Sequence, residues 1–172
     1  MNNDEQPRVK PIATDALPLS LARAIDHAEK TRVFSSTTPA RVWAHRPEIA
    51  SAWVELLQRF QVNGILPERT KELCRLMIAS ITNCSACQIA RKSDDVSEED
   101  IACLSSSDPR FTEAEQTALR YAELFAADYT TIDDDVFDAL RNHYNEAEIV
   151  ELNMYCAIML AGGRMTYVQQ AF

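Results

Sequence analysis

Glycine is scarce: Gly64, Gly162 and Gly163 are the only three in 172 residues. Sandwiches and barrels need a tight turn about every ten residues, and this chain does not supply the residues that make them, so helices are favoured. Positive charge is also short. Seventeen lysines and arginines face twenty-six aspartates and glutamates, giving a net charge of −9 and a pI near 4.8. Such a field repels phosphate backbones and anionic bilayers, which argues against nucleic acid and membrane as partners. Long hydrophobic runs are missing: the longest, Met154 to Gly163, is about half a membrane span. The polar start Met1-Asn2-Asn3-Asp4-Glu5-Gln6 has no apolar core of the secretory kind, so a cytoplasmic protein is expected.

Hydrophobic residues make up 47% of the chain, enough for a sizeable core, and the length suits one domain. The first dozen residues carry two prolines and no periodicity, so residues 1–12 read as an N-terminal arm and 13–172 as a single helical domain. Five cysteines are an odd number in a chain large enough not to need staples, which fits a reducing compartment better than a disulfide framework.

Periodicity outlines the helices. Leu17, Leu21, Ala24, Ile25 and Ala28 fall at helical spacing, and Ile49, Trp53, Leu56, Leu57 and Phe60 form a stripe closed by Asn63-Gly64. Leu66-Pro67-Glu68-Arg69 opens a helix, with proline in the first turn, whose body from Leu73 to Ile81 is apolar almost all round and therefore runs through the interior. Thr82-Asn83 interrupts it; asparagine is a good N-cap, so a kink or restart is expected there, with Cys84 and Cys87 in the next first turn. Ser97-Glu98-Glu99-Asp100 and Thr112-Glu113-Ala114-Glu115 are N-terminal capping signals. Asp133-Asp134-Asp135 caps a shorter helix through Val136, Phe137, Leu140 and Tyr144, rather than forming a calcium loop, and a last helix runs from about Asn145 to Val168. The fold class is all-α, a bundle of six to eight helices.

One motif carries chemistry: Cys84-Ser85-Ala86-Cys87. Cysteines three apart on one helical turn can bridge, and the positive end of the helix dipole favours a nucleophilic thiolate. Structural zinc and a coincidental buried pair are the other readings. Zinc needs four ligands, whereas Cys74, Cys103 and Cys156 are isolated and His27, His45 and His143 are scattered. The three isolated cysteines read as small core hydrophobes. His45 reads as a loop-positioning residue, His143 as a surface or capping residue, and Trp43 and Trp53 as core or interface residues.

The chain resembles the carboxymuconolactone decarboxylase superfamily and, within it, the AhpD-like alkylhydroperoxidases. The resemblance spans about residues 8–172 and rests on Arg8-Val9-Lys10-Pro11-Ile12, Ala44-His45-Arg46-Pro47-Glu48-Ile49, the run from Gly64 to Leu73, the spacing from Glu72 to the Asn83-Cys84-Ser85-Ala86-Cys87 segment, Glu146 to Leu152, and Arg164. It implies an AhpD-like helical fold assembled into dimers, trimers or hexamers. It also implies a peroxidase-type cycle on a small-molecule hydroperoxide. Cys87 would attack the peroxide and Cys84 would resolve the sulfenic acid, with a dithiol donor such as lipoylated protein or thioredoxin restoring the pair. The family's acid falls on Glu72. On an unbroken helix Glu72 would lie roughly 18 Å from Cys84, so a relay role needs the break at Thr82-Asn83.

The sequence departs from that pattern where AhpD-like members carry histidine, having Ala86 and Arg91 instead. Arginine stays protonated and supplies fixed charge only. Arg91, read as one turn beyond Cys87 on the same helix face, is an electrostatic helper for a thiolate or a carboxylate, or else a helix-end residue pairing with Asp94 or Asp95. The candidate site is therefore Cys84, Cys87, Glu72 and Arg91, and no cofactor or metal is called for. A decarboxylase-like enzyme acting on a small lactone or acid, and a non-catalytic oligomeric redox-sensing or binding module, are the alternatives.

Overall fold

The computed structural model describes residues 6–172, so residues 1–5 of the expected arm lie outside the described residues. The described residues are all-helical: α1 (Leu19–Lys30), α2 (Thr38–Trp43), α3 (Pro47–Asn63), α4 (Glu68–Ile81), α5 (Ser85–Ile89), α6 (Glu98–Ala102), α7 (Glu113–Ala127), α8 (Asp134–Arg141) and α9 (Glu146–Gln169), with single 3₁₀ turns at Thr14–Ala16 and Tyr129–Thr131. Among the described residues there are nine helices rather than six to eight; the one without a signal in the sequence is α2, whose six residues are too few for a helical period to show.

The chain divides into two compact units, one made of the segment ending at Gly64 with Arg164–Phe172, the other of Ile65–Gly163. In the first, Leu21, Ile25 and Ala28 of α1 pack with Ala40 of α2 and with Ala50 and Val54 of α3. The stripe expected on α3 is buried only in part: Phe60 is buried and Trp53 and Leu57 are half-buried, but Ile49 and Leu56 are exposed, while Ala50 and Val54 are sealed. Small side chains let α3 approach α1 closely, so fit, not maximal hydrophobicity, chose the face. His45 does position a loop, its ring 2.9 Å from the Lys10 carbonyl. Trp43 stacks edge-on against Trp53 and donates to Gln169 at 3.0 Å.

In the second unit α4 is the central element, packed mainly along α7. Cys74 and Ile78 face Ala118, Tyr121, Leu140, Leu152 and Cys156, while Leu73, Leu76 and Met77 face Val96, Phe111 and Leu119. Cores on two sides bury α4 from Thr70 to Ala79 without interruption, as its all-round apolar sequence predicts. Pro67 is its N-cap rather than its first-turn residue. Cys103 departs from the core reading: it is half-buried at the C-cap of α6, whereas Cys74 and Cys156 are sealed.

Both predicted capping signals form complete boxes, Ser97 with Asp100 and Thr112 with Glu115. The two boxes share one cation. Arg69, in the first turn of α4, pairs with Asp100 at 3.0 Å and Glu115 at 2.7 Å, and also donates to the Asp95 carbonyl. The starts of α6 and α7 are thereby tied to the start of α4. At the other end of the unit, a Cβ on Gly163 of α9 would meet Thr82 Oγ1 at 3.0 Å, so glycine here serves close approach.

Two outcomes follow from this packing. The hydrogen bond from Arg69 holds the Asp100 carboxyl at about 2, below its ordinary 3.8. The pair's stabilisation is full above that ordinary value and is lost as pH falls through about 2; Asp100→Asn should flatten this stretch of the acid unfolding curve followed by circular dichroism. Gly163→Ala should gain about 0.5–1 kcal/mol more in a Thr82→Ala background than in the native one, because only there is the helix propensity of alanine free of the contact; a denaturant double-mutant cycle measures it.

Candidate active site

The site forms where α4 stops. Thr82 caps α4, Asn83 adopts a left-handed backbone with φ of 53°, and the Asn83 and Cys84 amides return to the Ser80 and Ala79 carbonyls at 3.3 and 3.1 Å. This is a Schellman ending, with asparagine as the left-handed residue it tolerates better than most. The break expected at Thr82-Asn83 is therefore present, but Asn83 ends α4, and Cys84 is the N-cap of α5. The reversal folds α5 back against the last turns of α4.

Cys84 and Cys87 are joined as a disulfide with Cα atoms 5.2 Å apart. Cys84 is sealed from solvent and Cys87 is half-buried, so Cys87 is the more accessible residue of the two. The other buried thiols are poor competitors, because burial pushes Cys74 up to about 12 and Cys156 well above its ordinary value.

Glu72 and Arg75 are the buried charges beneath α5, with side chains 1% and 5% exposed. Arg75 binds Glu72 in a fork, Nε to Oε2 at 2.7 Å and Nη2 to Oε1 at 2.8 Å. Its other hydrogens reach α5: Nη1 donates to the Cys87 carbonyl at 2.5 Å and Nη2 to the Ala90 carbonyl at 2.7 Å. Glu72 Oε1 also accepts the Lys92 amide at 2.9 Å. The carboxylate is thus filled by donors, and what it presents to the cysteine pair is the guanidinium of Arg75.

Arg91 is not on the helix face expected for it. Helix α5 ends at Ile89 and Ala90 is extended, so Arg91 lies beyond the helix end. There it pairs with exposed Glu98 at 2.8 Å, not with Asp94 or Asp95, and donates to the Gln88, Ile89 and Ala90 carbonyls. Five residues were too few to carry the helix one turn past Cys87.

Arg75 is the residue of this cluster that the sequence reading passed over. Its signal was available: a glutamate and an arginine three apart inside a run too apolar to expose either. Lys92 left no such signal. Burial first, and then the Arg75 charge, lower its ammonium to about 8, against the opposing pull of Glu72. Among the described residues no group of three or more metal-ligating side chains is gathered. No helix there is long and apolar enough to cross a membrane.

The fold is that of AhpD-like proteins, as the sequence resemblance predicts. The debrominase Bmp8 superposes with a TM-score of 0.80 at 19% identity, over 95% of this chain and 90% of Bmp8, both without ligand and as a cysteine-to-alanine variant with 2,3,4-tribromopyrrole. An uncharacterised peroxidase-related protein from Ralstonia eutropha, described as an alkylhydroperoxidase AhpD core, gives 0.75 at 18% identity over 96% and 91% of the two chains. A protein of unknown function from Agrobacterium tumefaciens, proposed as an antioxidant defence protein AhpD, gives 0.65 at 25% identity over 73% and 90%. No protein-family model matches the sequence, and no curated protein matches it.

The two arginines should separate in stability. Removing Arg75 strands a buried carboxylate, so Arg75→Ala should lose about 3–5 kcal/mol. Arg91→Ala breaks a pair whose acid is 77% exposed and should leave the unfolding midpoint close to that of the native protein. Urea denaturation of both variants checks this.

Proposed function

We propose that the chain is a dithiol–disulfide oxidoreductase that reduces organic hydroperoxides through Cys84 and Cys87. The observation that carries this reading is the bonded pair itself, Cys84 sealed and Cys87 half-buried, set at a short helix braced by α4. The Cys87 thiolate attacks the outer peroxide oxygen; the O–O bond breaks, and the alcohol leaves after taking a proton. Cys84 then attacks the resulting sulfenic acid; the S–S bond forms and water leaves. In sum, one hydroperoxide and two thiols give one alcohol, one water and one disulfide. A dithiol donor such as lipoylated protein or thioredoxin takes the two oxidising equivalents and restores the thiols. Glu72 orients Arg75, and Arg91 adds fixed positive charge at the end of α5. In the absence of the family's histidines, Lys92, with its lowered affinity for a proton, is the nearby group suited to exchange one.

A second reading is reductive debromination of a small aromatic, favoured by the likeness to Bmp8 over nearly the whole chain and by the missing histidines. Its balance uses the same pair: one carbon–bromine bond and two thiols become one carbon–hydrogen bond, one disulfide and hydrogen bromide.

Pre-reduced protein should consume cumene hydroperoxide with dihydrolipoamide as donor. Cys87→Ser should abolish turnover by about a hundredfold or more, and Cys84→Ser should accumulate a sulfenic acid on Cys87 trapped by dimedone and mapped by mass spectrometry. No consumption and no disulfide would remove the peroxidase reading, and bromide release from 2,3,4-tribromopyrrole in the parallel assay would put debromination in its place.

A further inference from the structure

We propose that Arg75 is a positioning residue for the cysteine pair, keeping Cys84 and Cys87 within bonding reach when the disulfide is open. The inference rests on the dithiol–disulfide reading above. Helix α5 has little of its own to hold it: five residues, no side-chain N-cap bond and no buried side chain within its span. An isolated helix of this length is unstable in water. While the disulfide is closed, the covalent bond fixes its first turn. Once it is reduced, what remains is a set of attachments to α4.

Those attachments are divided between the two cysteines. The Cys84 end is held by its own amide on the Ala79 carbonyl at 3.1 Å. The Cys87 end is held by Arg75, through the Cys87 and Ala90 carbonyls at 2.5 and 2.7 Å. Gln88 adds a bond to the Ala79 carbonyl at 3.1 Å. Arg91 caps the same end from the solvent side, where its partner Glu98 is exposed and screened. Arg75 is the buried one of the two arginines, and two of the hydrogens left over from its fork to Glu72 are aimed at the Cys87 and Ala90 carbonyls. Lysine at this place has one ammonium and cannot span Glu72 and two carbonyls in a fixed plane. Preorganising the open pair raises the effective concentration of one thiol at the other, which is what favours closure to the disulfide.

The test reads the thiol–disulfide equilibrium in oxidised and reduced dithiothreitol, with no substrate present. Glu72→Leu with Arg75→Met replaces the ion pair by apolar side chains and so removes the clamp without stranding a charge. In this double variant the equilibrium constant for closing Cys84–Cys87 should fall about tenfold, a shift of about 30 mV. Arg75→Lys should fall in the same direction by about threefold or more, and it carries the test if the double variant does not fold. A folded double variant, or Arg75→Lys, that closes as readily as the native protein overturns the inference alone. A native protein that does not re-form its disulfide overturns the redox reading, and this one with it.

Discussion

Glu72 and Arg75 form an ion pair in a place where single charges are costly. Taking both from water demands good geometry and further hydrogen bonds, and the structure supplies both. The fork makes two hydrogen bonds within the pair, the Lys92 amide adds a third donor to the carboxylate, and two backbone carbonyls take two of the other guanidinium hydrogens. Because α4 is sealed by side chains on two faces, this pair cannot drift toward solvent. It converts a rigid buried helix into a frame for the segment that follows.

That segment is made of pieces that are weak singly. A Schellman turn reverses the chain, a five-residue helix carries the sulfurs, and a solvent-facing arginine closes its end. Local opening free energies in proteins vary widely, and elements that do chemistry are drawn from the low end. A redox pair needs such a compromise, since its helix must admit a substrate to one sulfur and still return that sulfur to its neighbour. Under the dithiol–disulfide reading proposed above, the asymmetry of exposure between Cys84 and Cys87 serves the same need.

Peroxide reduction and reductive debromination make the same demand on the two sulfurs. Each removes two electrons from the dithiol, and each ends in the same disulfide. They differ in the atom the thiolate attacks and in where protons must go. Where the AhpD-like pattern has imidazoles, α5 is flanked here by the ion-paired guanidiniums of Arg75 and Arg91 and by Lys92.

The sequence was most informative where local rules act alone. The capping boxes at Ser97 and Thr112, the cap at Asp133, the interior character of α4 and the break after Thr82 all follow from a few adjacent residues. Reading failed where a distant surface chose. Ile49 and Leu56 lost the core to Ala50 and Val54 because the face of α1 rewards close approach. Arg91 lost its helix because α5 stops after Ile89.

By itself, then, the order of residues determined an all-helical chain, a two-cysteine motif at a helix start and the acid twelve positions before it. Tertiary structure alone decided what that acid does. Periodicity describes one helix at a time, whereas the use of Glu72 depends on α5 folding back, on a carbonyl coming within reach of Arg75, and on burial that leaves both charges nowhere else to go.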